Sequence, residues 1–301
     1  MLRIAHHPAY IHPLREGHRF PMLKYELIPA QLLHEGVVSA ANFFIPGLAQ
    51  QADILLAHDD RYVKALLDLT LDPRMVRRIG FPLSKGLVDR ELYLVDGTIQ
   101  ASMFAQQYGV AFNTAGGTHH AGRDFGEGFC LFNDQAVAAA YLLNRKLAER
   151  ILIIDLDVHQ GNGTAHIFAG HRNIFTFSMH GDKNFPFVKE LSHIDVPLPD
   201  GVGDEAYLSL LESELEQALA RYNPDFVFYQ AGVDILATDK LGKLNISEEG
   251  CRQRDKFVFA ACHERGIPVQ VSMGGGYSVH IKDIVNAHVN TYKTAIEVFG
   301  F

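Results

Sequence analysis

An α/β domain with an open, mostly parallel sheet flanked by helices is the fold the sequence predicts, and three observations lead to it. Short apolar runs rich in β-branched residues alternate with longer stretches of helical period, the rhythm of repeated βαβ units. No Ser/Gly linker, internal repeat or low-complexity segment divides the chain, so residues 1–301 read as a single domain. The unusual polar and glycine-rich segments fall just past the carboxyl ends of predicted strands, where the crevice of a parallel sheet lies.

Residues 2–6 make a short apolar start, expected as an edge strand. An irregular segment with Pro8, Pro13 and Pro21 follows, carrying His12, His18 and Arg19. Helical period runs over 24–35 and again over 61–69, with a short strand or turn expected over 52–58. Residues 89–108 hold apolar side chains at helical spacing and stop at Gly109, a residue suited to a helix C-terminus. The strand expected at 110–113 enters a glycine-rich loop, residues 114–134, that contains the adjacent pair His119 and His120. Two neighbouring imidazoles are poor packing residues, because each ring has two nitrogens that need partners when buried. A flexible surface loop is the alternative reading of that segment alone.

An Ala-rich helix over 135–150 leads to the central stretch, ILIIDLDVHQGNGT at 151–164. A buried strand there delivers Asp155, Asp157 and His159 at its end. Strand alternation would put these three on one face if the extended conformation lasted that far, and a divalent metal would stabilise such a cluster. Without a metal, the aspartates would cap the next helix and the histidine would be solvated. Further strands are expected over 173–178, 225–231 and 267–272, with helices over 204–222, 247–265 and 281–299. Asp234 lies just past the second of these strands, and MGGGY, ending at Tyr277, just past the third.

With 48% hydrophobic residues and a mean hydropathy of zero, the chain has material for a large core and reads as soluble. A net charge of −8 argues against non-specific attraction to nucleic acid or an anionic membrane, and leaves room for a local acidic rim that attracts cationic substrates. Cys130, Cys251 and Cys262 form no C-x-x-C pair, which suits a reducing compartment. The N-terminus lacks a signal-type apolar core and no run is long enough to span a bilayer, so a cytoplasmic protein is expected. Most of the 16 histidines are scattered and read as surface or packing residues.

In order along the chain, GGTHHAGRDFGEGFCLFND, IDLDVHQGNGT, QAGVDILATDKLGKLNISEEG and SMGGGY resemble the zinc-dependent histone deacetylase superfamily, with the resemblance strongest to its class IV branch and bacterial relatives. It spans most of the sequence, from about His18 to Tyr277. The resemblance implies the arginase/deacetylase fold and metal ligation by Asp157, His159 and Asp234. Zn²⁺ is the implied ion, with Fe²⁺ the alternative because two oxygens and one nitrogen suit both. It further implies His120 as general base, His119 as its electrostatic partner or acid, and Asp155 and Asn162 as the groups that hold these two rings. Tyr277 becomes the donor to the developing oxyanion. Phe129 and Phe185 become walls of an acyl-lysine tunnel, with Gly117 beside it. Arg19 is assigned to an internal channel below the metal, and a structural monovalent cation such as K⁺ would sit near Asp155, Asp157, His159 and Ser178.

The implied activity is hydrolysis of an acyl-lysine side chain or a small acyl-amine by an activated water. An acetylpolyamine hydrolase is the alternative, although Leu241 stands where a polyamine-selective relative would carry a glutamate. A two-metal ureohydrolase would need further carboxylates, and the chain has Gly161, Ile235 and Leu236 near the ligands instead. A binder without activity is disfavoured because the whole catalytic set is present.

Overall fold

The computed structural model describes residues 1–301, along which eight strands and ten α-helices follow one another. The N-terminal part supplies β1 (Arg3–Ala5), α1 (Lys24–His34), β2 (Phe43–Phe44), α2 (Gln51–Ile54), α3 (Asp60–Leu67), α4 (Pro73–Ile79) and α5 (Lys85–Tyr108). The middle supplies β3 (Val110–Asn113), α6 (Asp134–Asn144), β4 (Ile151–Asp155), α7 (Asn162–Ile167), β5 (Ile174–Gly181) and β6 (Ile194–Leu198). The chain closes with α8 (Asp204–Tyr222), β7 (Phe226–Gln230), α9 (Glu248–Glu264), β8 (Val269–Ser272) and α10 (Ile281–Phe299).

All eight strands form one sheet in the order β2-β1-β3-β8-β7-β4-β5-β6, and every pairing is parallel. The central strands are buried on both faces, which is why they read as continuous apolar runs. Alternation splits their side chains between two cores. Leu152, Ile154, Val227 and Tyr229 pack with α1, α8, α9 and α10, whereas Ile151, Ile153, Phe226 and Phe228 pack with the helices between β2 and β5. Each such aliphatic or aromatic side chain contributes about 1.5–3 kcal/mol by leaving water.

Several local expectations change. β1 is not an edge strand, because β2 pairs with its outer side. Residues 52–58 begin in helix α2 and continue as a turn rather than a strand. The unforeseen α4 carries the usual signals for so short a helix: Asp72 caps it by accepting from the Arg74 amide, Pro73 opens it, and Gly80 ends it at φ 86°. β6 was unforeseen because it is short, contains Pro197 and is only partly buried at the sheet edge.

Register brings one polar row to the carboxyl ends of the strands. Asn113 pairs with Ser272, Ser272 with Gln230, Gln230 with Asp155, and Asp155 with Ser178. The candidate site stands directly above this row.

Candidate active site

β4 stops at Asp155, so Asp157 and His159 meet by a turn and not by strand alternation. Val158 N–H donates to Asp234 Oδ1 at 2.9 Å, tying this turn to the loop after β7. His159 Nδ1 lies 3.0 Å from Asp157 Oδ1 and 3.1 Å from Asp234 Oδ2. One donor atom from each of the three buried residues lies within 4.8 Å of the others. Asp155, expected beside them from strand alternation, turns instead towards His119.

The backbone closes tightly around this cluster. Gly275 N–H donates to Asp157 Oδ2 at 2.8 Å, and a Cβ on residue 275 would run into Asp234 Oδ2, so the approach demands glycine. The guanidinium of the fully buried Arg254 donates to the carbonyls of Gly232 and Leu156, bracing the two turns from behind. Burial, and then the neighbouring Asp157, raise the Asp234 carboxyl to about 7. Two buried carboxylates in conflict beside one imidazole are a donor set that a divalent cation resolves, and the residues present fit Zn²⁺ or Fe²⁺. Ser178 Oγ, a candidate contributor to the monovalent site, lies 3.0 Å from His180 Nδ1 and keeps lone pairs for a cation when it donates there.

His119 and His120 leave β3 side by side, their ring centroids 4.1 Å apart. His119 Nδ1 faces Asp155 Oδ2 at 2.7 Å. Burial opposes its charge, but Asp155 and then Asp157 overcome that and raise it to about 9. His120 goes the other way: burial, then the charges of His119 and His159, push it well below its usual value. Its Nδ1 lies 2.6 Å from Asn162 Oδ1, while Asn162 Nδ2 donates to Glu127 Oε1 at 2.6 Å. A carboxylate only accepts, so Asn162 must turn its NH₂ to Glu127 and its oxygen to His120. His120 Nδ1 therefore carries the hydrogen, leaving Nε2 with a free lone pair. Glu127, in turn paired with Arg78 at 2.5 Å, is a member of this relay that sequence reasoning missed.

Tyr277 faces the cluster from the glycine strip. Asp239 Oδ2 accepts its backbone N–H at 2.6 Å, and Asp239 Oδ1 accepts those of Leu241 and Gly242 at 2.8 and 2.9 Å, so one carboxylate sets both loops. Burial, then Asp234 and Asp157, raise the phenol well above its usual value, which keeps it a donor. Beside it the buried Lys24 ammonium donates to the Gly274 carbonyl at 2.8 Å and lies 5.9 Å from the Tyr277 ring centre.

Two cavities meet at this point. An outer one of about 460 Å³ opens to solvent between Phe129, Phe185, Leu241, Tyr277 and His120. A small inner chamber of about 40 Å³ has Asp157, His159 and Asp234 in its wall together with Phe20, Tyr25, Arg90, Gly116, Gly117 and Cys130. Phe129 is held in the left-handed region at φ 69°, and its N–H donates to the Ile79 carbonyl at 2.7 Å. Gly117 lines the inner chamber, and a Cβ there would strike the Gln230 side chain. The assignment of Arg19 to the internal channel is incorrect. Arg19 is exposed at the outer mouth with its guanidinium 4.9 Å from the Phe129 ring centre, and the buried arginine of the inner chamber is Arg90. The acidic rim is absent too, because the charged residues lining the outer cavity are Arg19, Arg78, Lys183 and Lys243. All three cysteines are free and buried, and no helix is long and apolar enough to cross a membrane.

The profile of the histone deacetylase domain matches residues 18–292. The chain belongs to the histone deacetylase family. Histone deacetylase 2 of Arabidopsis thaliana is 32% identical over 269 residues, covering 86% of this chain and 70% of the plant protein. An uncharacterized protein of Picosynechococcus is 45% identical over 296 residues, covering 98% and 99% of the two chains. Among solved structures, a histone deacetylase homologue complexed with SAHA superposes with a TM-score of 0.84 at 26% identity, covering 99% of this chain and 84% of that one. The homologue from Aquifex aeolicus gives 0.83 at 25% identity with the same coverage. The single all-parallel sheet is accordingly the arginase/deacetylase fold of this deacetylase family.

Proposed function

We propose that this histone deacetylase family member is a metal-dependent hydrolase of acyl-lysine side chains that favours the acetyl group. The observation that carries the reading is the meeting of His119, His120 and Tyr277 over the Asp157–His159–Asp234 cluster at the floor of a narrow cavity. A divalent ion held by these three ligands would polarise the amide carbonyl and acidify a water. His120 Nε2, with its lone pair kept free by the Asn162–Glu127 relay, takes the proton of the attacking water. His119, held by its hydrogen bond to Asp155, lies near the leaving nitrogen as electrostatic partner or acid. Tyr277 donates to the carbonyl oxygen as that atom becomes anionic. Phe129 and Phe185 flank the alkyl stem of the lysine in the outer cavity.

The inner chamber sets the acyl preference. The space beside the candidate ligands is small, about 40 Å³, which supports a short acyl group over an octanoyl tail. Acetyl-lysine peptide is expected to exceed its octanoyl and myristoyl counterparts, and N-acetylputrescine, by about tenfold or more in kcat/KM, a difference of about 1.4 kcal/mol in transition-state binding. Steady-state hydrolysis with the zinc-loaded protein tests this, and a faster octanoyl substrate would contradict the chamber argument. Leu241 supports lysine over polyamine, because its apolar side chain offers no charge to a distal ammonium.

The relay makes a separate prediction. Glu127→Gln frees the Asn162 amide to turn over, so kcat is expected to fall about tenfold with metal content unchanged. An unaltered kcat would mean that Glu127 does not set the tautomer of His120.

A further inference from the structure

The outer cavity carries a charge pattern that runs against the rest of the molecule. The chain is net −8, yet the cavity is lined by four cations, Arg19, Arg78, Lys183 and Lys243, and by no carboxylate. They come from four separate segments: the loop before α1, helix α4, the loop after β5 and the loop after β7. Glu127 offsets Arg78 at 2.5 Å. The other three have no carboxylate in ion-pair contact: Arg19 lies against Phe129, and Lys243 donates to the Lys183 carbonyl at 3.2 Å. Asp239, behind Leu241, is engaged by three backbone amides. Beside the cations, Phe187, Val188 and Leu191 stand 87%, 85% and 85% exposed on the loop that continues from Phe185.

We propose that this mouth selects acyl-lysine within an acidic polypeptide segment, with carboxylates flanking the modified residue on the substrate. The proposal rests on the acyl-lysine reading of the site and adds the class of sequence that presents the lysine. Three unpaired cations around a cavity with apolar walls focus a positive potential on whatever enters. Carboxylates on either side of the lysine would meet Arg19, Lys183 and Lys243. A basic peptide, or the free ammonium groups of a polyamine, would meet the same charges with the opposite sign. The exposed apolar loop offers Phe187 and its neighbours to a peptide backbone leaving the mouth, a surface that a small amine is too short to cover.

The test compares acetyl-lysine peptides whose flanking residues are all Glu, all Ser or all Lys, with the metal-loaded full chain. Both kcat/KM and the Kd of labelled peptides, read by fluorescence anisotropy, are measured. The acidic peptide should lead the basic one by about tenfold or more in both at low salt. The difference should collapse near 1 M salt, where screening acts within about 3 Å. Lys183→Glu combined with Lys243→Glu should reverse the order. Equal Kd values for acidic and basic peptides, or a preference that the double variant leaves intact, would overturn the proposal whether or not either peptide is cleaved. Charge-selective binding without cleavage of any peptide, including the Ser-flanked one, would sustain charge selection and overturn the deacetylase reading. Co-sedimentation with phosphatidylserine vesicles that outcompetes the acidic peptide would assign the cations to a lipid surface and so also overturn it.

Discussion

Asp234→Ala is expected to reduce hydrolysis to background and to strip the divalent ion from the purified protein. Asp234 supplies one of three candidate donors, and its second oxygen holds the Val158 amide. Its loss removes a ligand and loosens the turn that presents Asp157 and His159, so both the affinity and the geometry of the site suffer. Elemental analysis and turnover, measured on the same preparation, check this, with circular dichroism to confirm that the fold persists. Full metal occupancy in the alanine variant would remove Asp234 from the ligand set.

Tyr277→Phe separates chemistry from binding. The ring can still pack against Phe20 and Phe129, at centroid distances of 6.1 and 6.2 Å, so the wall of the cavity remains. Only the hydroxyl donor disappears. Removing one such donor from a developing oxyanion costs about a hundred- to a thousandfold in kcat, and that fall is expected here with KM and metal content little changed. A variant that kept wild-type kcat would show that the phenol does not touch the reacting carbonyl.

Residues whose chemistry is written into short stretches are legible in the amino-acid sequence alone. Asp157, His159 and Asp234 fall within four residues of a strand end and meet in the fold, and His119, His120 and Tyr277 sit in or beside glycine-rich segments. A mostly parallel sheet follows from the same alternation of apolar runs and helical period, and the fold makes every pairing parallel. What escapes a linear reading are groups whose roles exist only across the fold. Glu127 lies in the same glycine-rich loop as His119 and His120, but its partner Asn162 is 35 residues away and only the folded chain shows which way that amide faces. Asp239 binds Tyr277 across 38 residues. Arg19 is misplaced for the same reason, since a loop residue can point outward while Arg90, on a long helix, enters the chamber. The basic mouth is hidden by averaging, because four cations on four segments vanish within a net charge of −8.

The strand order has a consequence for how the molecule is made. β8 is the sole link between the β2-β1-β3 group and the β7-β4-β5-β6 group, and it is the last strand in the chain. Until Val269–Ser272 emerges during synthesis, the sheet exists as two halves that expose the open edges of β3 and β7. His119 and His120 belong to one half and the Asp157 cluster to the other, so the two cannot face each other before the closing strand inserts. Pairings as distant as Val110 with Val269 make that closure entropically slow, and edges left unpaired meanwhile are the ones most prone to join with another chain. A nascent chain halted before residue 269 would therefore be inert as well as adhesive, and turnover should begin only once the closing strand has inserted.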